Sequence, residues 1–134
     1  MIILSNSIAQ TIEPGQSATF DTIILKTGCS ECFRNGSGSV IMKKHPAIYE
    51  IDFGGNIGGA AAGQVQLAIA INGSPMTETT MIETVAADTD LNSVSRSTSV
   101  STCGCGCETC TIVNNGTEAV TLGARPLLRI KRTA

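Results

Sequence analysis

The amino-acid sequence predicts an all-β protein, a single-domain β-sandwich of about ten short strands. Three observations carry this. Apolar residues recur with period two. Ala47, Tyr49, Ile51 and Phe53 share one face with Glu50 and Asp52 opposite, and Val65, Leu67, Ile69 and Ile71 share another. Alternation of this kind marks strands with one face in a core. Turn signals separate the runs: Pro14-Gly15, Asn35-Gly36-Ser37-Gly38, Gly54-Gly55-Asn56, Gly58-Gly59, Asn72-Gly73-Ser74-Pro75 and Asn114-Asn115-Gly116. Asn-Gly supplies the positive φ that tight hairpins require. No window of useful length has helical periodicity.

In order, strands are predicted at about residues 2–12, 17–26, 39–43, 47–54, 64–72, 79–86, 93–102, 108–114, 117–123 and 126–132. Ser93 to Thr102 looks low in complexity, yet it alternates strictly. Val94, Arg96, Thr98 and Val100 stand against Ser95, Ser97, Ser99 and Ser101. That makes it a strand with a polar face. No linker divides the chain, so residues 1–134 read as one domain. Residues 1–16 are expected to form an N-terminal strand or attachment segment, and 17–132 the sandwich core.

Composition narrows the function classes. At 134 residues the chain can bury roughly two-thirds of its unfolded surface. Aromatics are only 3%, so Ile, Val and Leu must fill the core and little is available to stack on bases or sugar rings. A net charge of −2 predicts no general attraction to nucleic acid or acidic membranes. No apolar run approaches the ~20 residues of a membrane-spanning helix, so no membrane insertion is expected. The opening MIILSNSIAQ lacks a basic region, and its apolar stretch is too short for a secretory leader.

The cysteines form two groups, Cys29-x-x-Cys32 and Cys103-x-Cys105-x-Cys107-x-x-Cys110. In a jelly roll their two connections lie at the same end of the sandwich, so the groups are expected to approach each other. Three readings stay open. Cys29, Cys32, Cys107 and Cys110 have the chemistry and bite of a tetrahedral structural zinc site. Disulfides would staple the loops of a protein exposed outside the cell. Reduced thiols packed in a glycine-rich loop need neither. Zinc pairs usually have much shorter gaps between them, which favours disulfides or thiols. Beyond that structural zinc, no cofactor is expected. Thioredoxin-type chemistry needs a helix N-terminus to lower the thiol pKa, and no helix is predicted.

Other chemistry-bearing residues have bland readings. His45 is the only histidine and follows Lys43-Lys44 in a turn; no G-x-S-x-G elbow accompanies it. No catalytic residue is therefore assigned and no enzyme is expected. Gly54-Gly55 and Gly58-Gly59 lack the Gly-Lys-Ser/Thr of a phosphate loop and read as a flexible connection. Arg125, Arg129, Lys131 and Arg132 suggest a charged edge strand, and Glu78, Glu83, Asp88 and Asp90 a solvated loop without a calcium pattern. The Asn-Gly-Ser/Thr triplets at Asn35, Asn72 and Asn115 coincide with hairpin turns.

The second amphipathic strand has an unusual back face: Gln64, Gln66, Ala68, Ala70 and Asn72. It is small, polar and uncharged, which suits close packing against another subunit, and a glutamate at Ala68 or Ala70 is expected to break the assembly. The order of features across Phe20–Arg132 then resembles a known family. GC…NGSGSVIM at Gly28–Met42, Ala47–Phe53, VQLAIAINGSPM at Val65–Met76, CGCGCETCTIVNNGT at Cys103–Thr117 and PLLRIKR at Pro126–Arg132 carry the resemblance. Together they resemble the small tumour-necrosis-factor-like jelly rolls, the fold of the complement globular head, found in bacteriophages and Firmicutes. The resemblance implies a homotrimer. It also implies a role as a capsid decoration or head protrusion on the virion surface, bound to the capsid shell or another virion protein. The alternative is a receptor- or glycan-binding module, either a phage fibre tip or a protein of the bacterial cell or spore surface.

Overall fold

The computed structural model describes residues 1–59, 63–85, 91–102 and 108–134. Their strands are β1 (Ile2–Ser5), β2 (Gln10–Ile12), β3 (Thr22–Lys26), β4 (Glu31–Phe33), β5 (Val40–Met42), β6 (Ala47–Gly59), β7 (Gly63–Ile71), β8 (Ser74–Pro75), β9 (Met81–Val85), β10 (Asn92–Thr102), β11 (Glu108–Val113), β12 (Val120–Leu122) and β13 (Leu127–Arg132). One 3₁₀ turn, Thr77–Thr79, joins β8 to β9. Two antiparallel sheets result. Sheet I has the order β2-β12-β6-β13-β1-β3, with β10 on the other side of β6; sheet II has the order β4-β5-β11-β7-β8, with β9 also on β7. The inner faces of both sheets share one hydrophobic core.

β6 is the spine of sheet I. One side pairs with β10 from Ala47↔Thr102 to Ile57↔Asn92. The other side pairs with β13 over Tyr49–Gly54 and with β12 over Ile57–Gly59. Its alternation buries Tyr49, Ile51, Phe53 and Ile57 at no more than 2% exposure. The glycine stretch after Phe53, expected to be a loop, continues the strand to Gly59. Close approach explains the glycine at 55. A Cβ there would stand 3.1 Å from Leu122 Cδ1 and 3.2 Å from Pro126 Cβ.

Two other expectations change. β1 lies between β13 and β3, and Ile2, Leu4 and Ile12 are at most 1% exposed. Ile2, Leu4 and Ile12 therefore contribute to the core, which starts at Ile2 rather than at residue 17, while residues 7–9 and 13–16 are exposed. β13, expected at an edge, is interior, flanked by β6 and β1. The turn at Asn114-Asn115-Gly116 is more than a hairpin signal. Asn114 is fully buried, donates from Nδ2 to the carbonyls of Ile12 (2.9 Å) and Glu118 (2.8 Å), and accepts from the Gly116 N–H (2.9 Å). Every polar atom of that side chain has a partner, as burial demands.

The outer edge of β7 shows how sheet II closes. It pairs with β9 over Gly63–Leu67 and with β8 over Ala70–Ile71, which leaves a gap. Thr79, 3% exposed, fills it. Its Oγ1 accepts the Ile69 N–H at 2.9 Å and donates to the Met76 carbonyl at 2.7 Å, while the Met76 N–H donates to the Ile69 carbonyl at 2.8 Å. Thr79→Val keeps the shape but strands a buried N–H, so it should cost about 1–3 kcal/mol. Urea denaturation measures this; an unchanged midpoint would contradict the assignment.

Candidate functional site

The outer face of sheet I is the surface on which unusual features converge. One rung crosses five strands: Leu25, Ile3, Arg129, Asp52 and Ser97 stand side by side. The neighbouring rungs carry Lys131, Glu50 and Ser99 on one side and Leu127, Gly54 and Ser95 on the other. The face is thus aliphatic towards β3, ionic at its centre and lined with serine along β10. β3 is exposed throughout, with Ile23, Ile24 and Leu25 at 43%, 55% and 39%. Three consecutive exposed aliphatics on an edge strand are a pairing or packing surface rather than a solvated one.

Arg129 organises the centre. Its Nε donates to Asp52 Oδ2 at 2.8 Å, and its Nη2 donates to Glu50 Oε1 at 3.0 Å and also to Asp52. All three side chains are roughly one-third exposed, which leaves the cluster half-buried. Burial alone would push the Asp52 carboxyl up. Hydrogen bonds from Ser97 and Arg129, with the guanidinium charge, outweigh it and hold the group below its ordinary 3.8. Nothing local in the sequence signals that Arg129 of the basic C-terminal run pairs with the acidic face of β6.

The back face of β7 is placed differently from the expectation. Gln64 and Asn72 are exposed and Gln66 is half-buried, but Ala68 and Ala70 have 0% exposure within the single chain. Val113 and Thr111 of β11 flank them, at 9% and 8%, with Pro75 of β8 beside Ala70. The alanines have no accessible surface left to give a partner. A glutamate there would disturb folding rather than assembly. Gln66 and Asn72 are tied locally, through Gln66 Nε2 to Asn115 and through the Thr109 N–H to Asn72 Oδ1 at 3.0 Å.

The cysteines divide by strand parity. Cys32 is opposite Ile41, which is opposite Thr109; Cys110 is opposite Val40, which is opposite Phe33. Adjacent rungs point to opposite faces. Cys110 therefore faces the core at 0% exposure while Cys32 faces outward, and the expected zinc set of Cys29, Cys32, Cys107 and Cys110 cannot close around one ion. Among the described residues no disulfide joins Cys29, Cys32 and Cys110. Cys103, Cys105 and Cys107 lie outside the described residues, as do Asp88 and Asp90. Among the described residues no group of three or more His, Cys, Asp or Glu side chains could hold a metal ion.

The Cys29 end of the sandwich is tied together by Tyr49. Its hydroxyl donates to the Ser30 carbonyl and accepts from the Lys44 N–H, both at 3.1 Å, and burial pushes its pKa up. Glu31 beside it is 3% exposed, and its carboxylate meets the Met1 ammonium at 2.6 Å. His45 is exposed in the neighbouring turn. A shallow depression of ≈ 260 Å³ at this end is lined by Pro46, Ala47, Ile48, Ser101, Thr102 and Ala134.

Two measurements check these assignments. Burial raises the Cys110 thiol to about 12, so in the native protein Cys110 should resist alkylation at pH 8 while exposed Cys29 reacts. Peptide mass mapping reads this, and equal labelling would contradict it. Asp52 titrates lower when folded than unfolded. It therefore stabilises the fold above its unfolded pKa, and that stability is lost as pH falls through the folded value. Asp52→Asn should flatten the acid limb of the stability–pH curve below about pH 4. An acid limb identical to that of the unmodified protein would refute the Arg129–Asp52 contribution.

No known protein-family profile and no curated protein sequence matches the chain. Solved structures do match it. The globular domain of zebrafish complement 1qA protein superposes with a TM-score of 0.67 at 11% identity, covering 98% of each chain. The vertex protein P5 of phage PRD1 superposes with a TM-score of 0.52 at 10% identity, covering 99% of this chain and 97% of that one. This chain has the jelly-roll fold of the tumour-necrosis-factor-like type, as the order of its motifs implies.

Proposed function

We propose that the chain is a non-enzymatic homotrimeric structural protein of a bacteriophage particle, a capsid decoration or head protrusion at the virion surface. The observation that carries this is the outer face of sheet I, on a chain whose described elements all belong to the jelly roll. Leu25 is exposed beside Ile3 on this face, Ile23 and Ile24 are exposed along the same edge strand, and the ionic cluster of Arg129, Glu50 and Asp52 is half-buried at the centre. A monomer leaves this aliphatic surface in water. Around a threefold axis it would be removed from water, at roughly 25 cal/mol per Å² of apolar area. The fold it shares with a phage vertex protein supports the virion context, and a partner on the capsid shell is the corresponding expectation.

Multi-angle light scattering should give three times the chain mass at micromolar concentration. The pair Ile24→Glu and Leu25→Glu should yield folded monomers, because both side chains are exposed and contribute little to the core. A wild-type chain that stays monomeric would overturn the trimer. A double variant that remains trimeric would move the interface off this face.

A further inference from the structure

We propose that Asn72 is a site of spontaneous covalent modification, deamidating through a cyclic imide with Gly73, and that the fold selects it over the two other Asn-Gly pairs. The sequence does not distinguish the three. Asn35-Gly36-Ser37, Asn72-Gly73-Ser74 and Asn115-Gly116-Thr117 each have glycine after the asparagine and a small hydroxyl residue after that. In the reaction the glycine amide nitrogen gives up its proton and attacks the asparagine Cγ. A nitrogen–carbon bond forms, the Cγ–Nδ2 bond breaks, and the side-chain amide leaves as ammonia, taking up a proton. Water then opens the ring at either carbonyl, giving aspartate or an isoaspartate whose main chain runs through Cγ. The step needs a glycine N–H free to lose its proton, a side-chain carbonyl open to attack and a turn that can rotate.

Two of the pairs fail these conditions. The Gly36 N–H donates to the Phe20 carbonyl at 2.9 Å, and the Gly116 N–H donates to Asn114 Oδ1 at 2.9 Å, so both nucleophiles are held as donors. Asn115 is also half-buried, and its Nδ2 donates to Thr80 Oγ1 at 3.2 Å. Asn72 and Gly73 differ. They form the tip of the two-residue hairpin between β7 and β8, with φ of 53° and 81°, positive at both positions as a type I′ turn requires. Such a turn is closed by its flanking pair, here Ile71 and Ser74, and the Gly73 N–H has no acceptor among the described residues. Residues 72–75 are all exposed, so nothing packs on the tip to stop it rotating. The side chain is held by its carbonyl end alone: the Thr109 N–H donates to Asn72 Oδ1 at 3.0 Å, while Nδ2, the leaving group, has no acceptor among the described residues. That donor polarises the carbonyl under attack and faces the oxygen on which negative charge grows. An isoaspartate would lengthen the turn by one methylene. Hairpin register depends on loop length, so the Ile71–Ser74 pair would be lost. The site lies on sheet II and stands whether or not the chain is a trimer.

Peptide mapping of the intact wild-type chain, incubated in mildly alkaline buffer, tests this without any variant that might fail to fold. Each Asn-Gly peptide is scored over time for replacement of the side-chain NH₂ by OH and for isoaspartate, against synthetic standards. In the native protein Asn72 should deamidate about tenfold faster than Asn35 or Asn115, the ratio set by the hydrogen bond that each of their glycines must first break. In concentrated guanidinium chloride the three rates should converge, because only the fold separates them. A native rate at Asn35 or Asn115 that matches or exceeds the rate at Asn72 would overturn the proposal. So would a lead of Asn72 that persists undiminished in denaturant, since the preference would then belong to the local sequence.

Discussion

Everything in the sandwich is referred to the alternation of β6. Because one strand is paired on both sides, its parity is imposed on β10 and β13 together. Once Tyr49, Ile51 and Phe53 turn inward, Glu50 and Asp52 must turn outward, where the register of β13 delivers Arg129. A slip of one residue would expose three core side chains and bury two carboxylates. The free energy at stake is far larger than any surface interaction could recover, so the hydrophobic face fixes where the charges meet.

The same parity separates structural from interactive surfaces. Sheet II has its outward alanines enclosed by neighbouring strands, and its gap on β7 is closed by the hydroxyl of Thr79. Sheet I carries an aliphatic edge at β3, an ionic centre and a serine-lined strand at β10.

Much of this architecture was legible in the sequence, because period-two patterns survive wherever side chains alternate. β6, β7 and β10 were readable for that reason. Gly54 to Gly59 was not, since glycine has no side chain to reveal a period, and the stretch passed for a loop. β4 hid among cysteines, and β8, two residues long, inside a turn signal. The site was less legible than the fold. Ala68 and Ala70 were correctly placed on the back of a strand, but nothing local shows that Val113, Thr111 and Pro75 hem them in. Likewise Cys32 and Cys110 become incompatible as ligands only once the register of β4, β5 and β11 is known.

Native-state hydrogen exchange tests the central role of β6 most directly. Its amides between Tyr49 and Phe53 are paired on both sides and should exchange only by global unfolding, with an opening free energy equal to that from denaturant melts. Exchange of these amides through local opening, while β7 and β11 stay protected, would contradict the account, because sheet I would then be assembled on sheet II rather than around its own spine.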